Sequence, residues 1–214
     1  MSVEPSPTTW LVLDFDGTIT EVDLLDEMAR TFGDPAVYLD VEEGLHGGTI
    51  TLQECITREF RPVTVPIDEM VAWVHENIAI RPGLPELVAD VEGRDYGVRV
   101  LSSGFEEIIA PVLERIGVGH VEILANRLDP RPDGWRVIWR DESVCPVCGE
   151  ACKRAGLPTG EVVYVGDGIS DRCAALRAER IFATRGLAQY LDSWGVSYER
   201  FVDFHDVRRA LVDQ

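Results

Sequence analysis

Apolar residues in this chain fall into short continuous runs separated by polar, helix-patterned stretches. Four runs read as buried strands: 10–13, 98–101, 162–165 and 181–183. The second and third end in Ser/Gly or Gly/Asp turns and lead into amphipathic stretches, 105–116 and 170–178. Continuous rather than alternating apolarity marks strands covered on both faces, and their alternation with helices marks βαβ units. The pattern predicts an α/β fold with a Rossmann-like parallel sheet sandwiched by helices. Functional residues in such sheets collect just beyond the carboxyl ends of the strands. Here those ends carry Asp14-Phe15-Asp16, Ser102-Ser103 and Gly166-Asp167.

The interval from about Glu21 to Arg81 breaks the alternation. Thr20 with Asp23 reads as a capping box that opens a helix ending at Phe32, before Gly33-Asp34-Pro35. Two further helices are predicted over 51–60 and 67–78, with no strand between them. The predicted organisation is a core of residues 1–20 and 82–214 with a helical cap inserted at 21–81. Between His120 and Asp141, two strand-like runs flank 129–134, which predicts a hairpin projecting from the sheet.

Composition narrows the partners. At 45% hydrophobic and 27% charged the chain is ordinary globular material, but 38 acidic against 20 basic residues give a net charge of −18. That excess excludes nucleic acid or an anionic membrane bound through a basic face. The first ten residues lack the basic and apolar segments of a signal peptide, and no apolar run is long enough to cross a bilayer. A cytoplasmic protein is expected. Of the 20 basic residues 19 are arginine, and Lys153 is the sole lysine. A chain that otherwise replaces lysine by arginine has kept one where a compact point charge is needed.

The strand ends suggest phosphate chemistry. Asp14 and Asp16 converge on the loop above their strand, and two close carboxylates need a cation to stay ionised. A hard divalent ion such as Mg²⁺ suits carboxylate and carbonyl oxygens. Gly17 allows a sharp turn whose amides, with Thr18, could hold phosphoryl oxygens. Asp167 and Asp171 could complete a metal site; Ser170 or Asp171 could instead cap the following helix, a role that does not account for Asp167, one residue past the strand. Ser102, with Ser103 and Gly104 opening the next helix, forms a second candidate anion site.

In order, DFDGT at 14–18, Ser102, Lys153 and GDGISD at 166–171 resemble the four motifs of the haloacid dehalogenase superfamily. The resemblance spans essentially the whole chain and places the cap at that superfamily's first insertion site. Within it, DFDGTIT with Asp23, IRPG at 80–83, LSSGFEEIIAPVLE at 101–114 and the cysteine run before Lys153 are similar to phosphoserine-phosphatase-like proteins. The 2-hydroxy-3-keto-5-methylthiopentenyl-1-phosphate phosphatases of methionine salvage are the nearest resemblance. It implies Asp14 as nucleophile, Asp16 as general acid and base, and Mg²⁺ held by Asp14, the Asp16 carbonyl and Asp167, with Asp171 supporting. It further implies Ser102 and Lys153 on the phosphoryl group, a small phosphorylated metabolite as substrate, and a homodimer. A receiver-type phospho-acceptor domain and a phosphotransferase on the same scaffold are the alternatives.

The cap should select the substrate, and Asp23, His46, Glu54, Arg58 and Trp73 are candidates to face inward. Phosphoserine phosphatases bind the amino-acid end of their substrate with a cap arginine, where this chain has Glu59, with Arg58 one residue off. Cys145, Cys148 and Cys152 are expected to shape the loop before Lys153 as structural thiols, with a bound metal or redox control as alternatives. A thiolate zinc site needs a fourth ligand; none is adjacent in sequence, and His46 or His120 could supply one only through the fold. Cys55 and Cys173 are expected in the core.

Overall fold

The first apolar run forms β1 (Thr9–Leu13), the middle strand of a seven-stranded sheet. The computed structural model describes residues 7–212; residues 1–6, where a signal peptide would begin, and 213–214 lie outside the described residues. The other strands are β2 (Tyr96–Phe105), β3 (Glu122–Arg131), β4 (Gly134–Ile138), β5 (Glu161–Gly166), β6 (Arg180–Ala183) and β7 (Glu199–Arg200), in the order β4-β3-β2-β1-β5-β6-β7. Every pairing is parallel except that of β4 with β3. The strand order reverses at β1, which opens a crevice beyond its carboxyl end.

Alternation along β1 divides the core. Leu11 and Leu13 join the apolar cluster beneath α5 (Leu84–Glu92), α6 (Glu106–Arg115) and α9 (Phe204–Val212). Val12 joins Leu101 and Tyr164 on the opposite face, beneath α7 (Arg172–Ala175) and α8 (Arg185–Trp194). The sheet is sandwiched as its apolar runs predict.

Between β1 and α5 lie α1 (Leu24–Phe32), α2 (Pro35–His46), α3 (Leu52–Phe60) and α4 (Ile67–Asn77). The chain leaves and returns at adjacent points, joined by a Thr20–Ile80 bridge. Three details differ from the sequence expectation. Asp23, not Thr20, caps α1 by accepting from Asp26 N, while Thr20 Oγ1 donates to Val22 O. Gly33-Asp34-Pro35 ends α1 but also starts α2, because Asp34 accepts from Ala36 N and Val37 N and Pro35 sits at the first helical position. The stretch 170–178 holds only a 3₁₀ turn, Ile169–Asp171, followed by the single turn of α7.

The hairpin is tighter and less detached than expected. Pro130 and Arg131 pair with Trp135 and Gly134, leaving a two-residue turn, and β3 lies parallel to β2 in the main sheet. Trp135 donates its backbone N–H to Val63 O and its indole N–H to Val65 O. Its ring stacks on Phe60, so one apolar cluster runs from the sheet into the inserted helices. Among the described residues no helix is long and apolar enough to cross a membrane.

Candidate active site

The ladder of β1 ends where Asp14 N donates to Val165 O, and the next residues turn sharply over the crevice. Gly17 has φ +75°, and a Cβ there would lie 2.3 Å from Asp167 Oδ2, so only glycine lets this turn approach that carboxylate. Arg81 fixes the turn by donating to Thr18 O at 2.8 Å and Gly17 O at 3.0 Å.

On the neighbouring strand, register shifts between Leu101 and Phe105. This bulge lifts Ser102 and Ser103 out of the ladder. Helix α6 therefore begins only at Glu106, and Ser103-Gly104 does not open it as expected. Ser102 Oγ donates to Asp16 Oδ2 at 2.8 Å and accepts from Gly104 N at 2.7 Å.

Beyond β5, Asp171 folds back beneath Asp167. One Asp171 oxygen accepts from Asp167 N and Gly168 N, both at 2.9 Å, and the other from Tyr164 Oη and Lys153 Nζ, both at 2.7 Å. With both oxygens held by protein donors, Asp171 organises the centre. Lys153 Nζ also donates to Asp14 Oδ1, and both side chains are buried. Thr18 Oγ1 lies 3.2 Å from Asp167 Oδ1 and 3.5 Å from Asp14 Oδ2.

The structure thus brings Asp14, Asp16, Ser102, Lys153, Asp167 and Asp171 together, and Ser103 lines the cleft above them. It corrects two proposed phosphate donors. The Gly17 amide already donates to Val22 O and Thr20 Oγ1, and the Thr18 hydroxyl points among the acids. A turn this tight folds its own donors inward. Two residues were missed. Arg185, which holds a positive φ of 46°, lies 3.4 Å from Asp167 Oδ2 and donates to Glu21 O. It follows the end of β6, so the strand-end rule that found Asp167 could have found it. Tyr164 carries no such signal, because a tyrosine inside an apolar run reads as core.

The centre holds more negative charge than its cations balance. Burial raises Asp14 well above the carboxylate range, with Asp171 adding to it and Lys153 opposing. Burial, with Asp23 nearby, pushes Asp16 up to about 7, and burial with Asp171 pushes Asp167 up to about 6. For Asp171 the effect of burial is overcome by Lys153 and its other donors, which hold it below the usual range. Burial would lower Lys153, but Asp14 and Asp171 keep it raised. Oxygens of Asp14, Asp167 and Asp171 lie within 4.8 Å of one another, a hard oxygen set with unbalanced charge that fits Mg²⁺.

Above the acids, the inserted helices and the sheet side enclose a cleft with two lobes. The larger, about 650 Å³, reaches from Ser102 and Lys153 to His46, Trp139 and the cysteine loop. The smaller lies over Asp14, Asp16 and Asp167 and is walled by Asp23, Asp26, Glu42 and Glu59, with no basic side chain. Of the cap candidates, Asp23 and His46 line this cleft. Glu54 and Arg58 line neither lobe; Arg58 pairs with Asp40 on the outer side of the α3 helix. Trp73 packs edge-on against Phe32 instead. Asp26, Glu42 and Glu59 are the acids that sequence reasoning did not place there. A single helix turn shifts which residue points inward, and one chain without its fold does not reveal that phase.

Carboxylates gathered around one lysine at the mouth of a parallel sheet mark a class of α/β hydrolases that cleave phosphoric monoesters. A family model of haloacid dehalogenase-like hydrolases matches residues 11–176, and the chain belongs to that family. It is 30% identical over 211 residues to Pdp3-interacting factor 1 of Schizosaccharomyces pombe, covering 92% of each chain. It is 28% identical to the polyol phosphate phosphatase PYP1 of Saccharomyces cerevisiae, covering 92% of this chain and 90% of that one. Identity to the 2-hydroxy-3-keto-5-methylthiopentenyl-1-phosphate phosphatase of an Exiguobacterium species is 26%, over 94% and 95% of the chains. Among solved structures, a phospho-aspartyl intermediate analogue of phosphoserine phosphatase superposes with a TM-score of 0.70 at 19% identity, over 96% and 99% of the chains. That likeness concerns the fold.

Proposed function

We propose that the protein is a Mg²⁺-dependent phosphatase that hydrolyses a small phosphorylated alcohol through a phospho-aspartate on Asp14. The convergence of Lys153, from the turn before β5, on Asp14, Asp16 and Ser102 at adjoining strand ends carries this reading. Asp14 attacks phosphorus in line, with Lys153 drawing charge from both the carboxylate and the phosphoryl oxygens. Asp16, whose carboxyl burial pushes up to about 7, gives its proton to the leaving oxygen and then takes one from the water that hydrolyses the intermediate. The Ser102 hydroxyl, which holds Asp16 in the free enzyme, is placed to turn to a phosphoryl oxygen. Asp14, the Asp16 carbonyl and Asp167 would hold Mg²⁺, which supplies charge neutralisation at the phosphate.

The acidic wall of the smaller lobe supports a neutral, hydroxyl-bearing leaving group. A carboxylated substrate would meet Glu42 and Glu59 with no cation to receive it. With p-nitrophenyl phosphate and Mg²⁺, the parent enzyme should turn over steadily and Asp14→Asn should be inactive; near-normal rates in Asp14→Asn would refute the mechanism. A receiver domain would give only a stoichiometric burst. Across a panel of phosphorylated metabolites, polyol and methylthio-ketone phosphates should outrank phosphoserine.

A further inference from the structure

Three of the five cysteines lie just before Lys153 in sequence, and the fold brings a fourth to them. Cys145, Cys148 and Cys152 lie in the stretch between β4 and β5, and Cys173 lies in α7, which was expected to bury it simply as core. The four Sγ atoms all lie within 4.8 Å of one another. His46 and His120, the other ligands considered, point elsewhere: His46 Nδ1 to Glu42 O and His120 Nε2 to Glu92.

We propose that Cys145, Cys148, Cys152 and Cys173 form a tetrathiolate zinc site, separate from the carboxylate centre. Tetrahedral zinc with bonds near 2.3 Å separates its sulfurs by about 3.8 Å, which these thiols reach with small side-chain rotations. Soft thiolates select zinc over the hard cation that the carboxylates suit.

The local backbone is built for such a centre. Cys145-Pro146-Val147-Cys148-Gly149 is a tight turn closed by Gly149 N donating to Cys145 O, with Gly149 at φ +79°. The Val147 amide donates to Cys145 Sγ at 3.4 Å, the donor that a thiolate ligand accepts. The valines of this loop do not pack it against the protein, since Val144 and Val147 are 71% and 56% exposed, whereas Cys145 is buried. All four thiols are unpaired as disulfides. On binding, each thiol releases its proton to solvent and donates a sulfur lone pair to the ion, with no change of oxidation state.

The site's position gives it a task. Cys152 adjoins Lys153, and Cys173 lies two residues beyond Asp171, so the ion would link the two segments that carry the Lys153–Asp171 ion pair. It would act as a positioning device for the lysine rather than as a reacting group.

The test is elemental analysis of the full chain, purified without chelator, for zinc per polypeptide. The parent and a Cys55→Ser control should each hold one zinc, and Cys148→Ser and Cys173→Ser should each lose most of it. Replacement by Co²⁺ should give the visible bands of a tetrahedral ion together with sulfur-to-cobalt charge transfer, a readout that does not depend on the variants folding. Lysine positioning predicts that chelated enzyme keeps its cap and core melting as a unit while kcat falls and is restored by zinc. A zinc-free parent with titratable thiols, zinc retained in both cysteine variants, or a cobalt spectrum without sulfur charge transfer would each overturn the assignment. The zinc content and the cobalt spectrum stand whether or not the phosphatase reading holds; the kcat readout rests on that reading and is taken with Mg²⁺ resupplied.

Discussion

Asp171 is the point at which a change of one atom should be felt most. It is fully buried and accepts four hydrogen bonds, two at 2.7 Å and two at 2.9 Å. In Asp171→Asn one oxygen becomes an NH₂ group. Turned toward Asp167 N and Gly168 N the NH₂ opposes two donors; turned the other way it opposes the Lys153 ammonium and the Tyr164 hydroxyl must rotate to accept from it, so either way two of the four bonds to the carboxylate are lost. At about 1.5–3 kcal/mol for each hydrogen bond to a charged group, two lost bonds cost about 3–6 kcal/mol. Two charge effects oppose one another: attraction to Lys153 is lost, and repulsion from Asp14 and Asp167 is relieved. Each is on the order of a few kcal/mol at an effective dielectric near 20, so they largely cancel and the hydrogen bonds decide the sign. A net loss of about 3 kcal/mol lowers Tm by about 6–12 °C in a domain of this size. Differential scanning calorimetry without added Mg²⁺ measures this, with Tyr164→Phe, which loses a single donor, giving a smaller fall. A Tm for Asp171→Asn equal to or above that of the parent would show that repulsion among the acids outweighs their hydrogen bonds.

Gly17→Ala should be both unstable and inactive. The left-handed backbone alone costs about 1–2 kcal/mol, and the new Cβ meets Asp167 Oδ2; melting and kcat together check this, and an unchanged kcat would contradict the close approach. Glu59 predicts a pH effect, because burial, with Glu42 nearby, pushes its carboxyl from 4.5 up to about 8. A carboxyl raised in the folded state contributes fully below its ordinary pKa and loses that contribution as pH rises through about 8. Stability of the parent should therefore decline across that window, and Glu59→Gln should flatten the decline in urea denaturation series; identical slopes would refute it.

Much of this was legible in the chain because it depends on short-range chemistry. Apolar runs at 10–13, 98–101, 162–165 and 181–183 became four of the seven strands, and their carboxyl ends supplied Asp14, Asp16, Ser102 and Asp167. Lys153 was visible through its rarity. What escaped depends on contacts between distant segments. The role of Tyr164 exists only because Asp171 folds back on it, and Cys173 meets the other thiols only when α7 packs beside the Lys153 turn. Donor inventories were equally hidden: Gly17 was correctly read as a turn residue, but the use of its amide is set by Val22, five residues on.

The single lysine also makes the chain an unusual protease substrate. An endoprotease that cleaves after lysine has one bond to attack, Lys153–Arg154, and would divide the 214 residues into fragments of 153 and 61. That bond lies in a short turn whose lysine is buried against Asp14 and Asp171. Native digestion therefore waits on opening of the carboxylate centre around Lys153, and when reclosing is fast its rate follows the equilibrium population of the opened form. One gel band disappearing as two appear would follow the breathing of the loop that carries Lys153 directly, with no substrate, metal or label required.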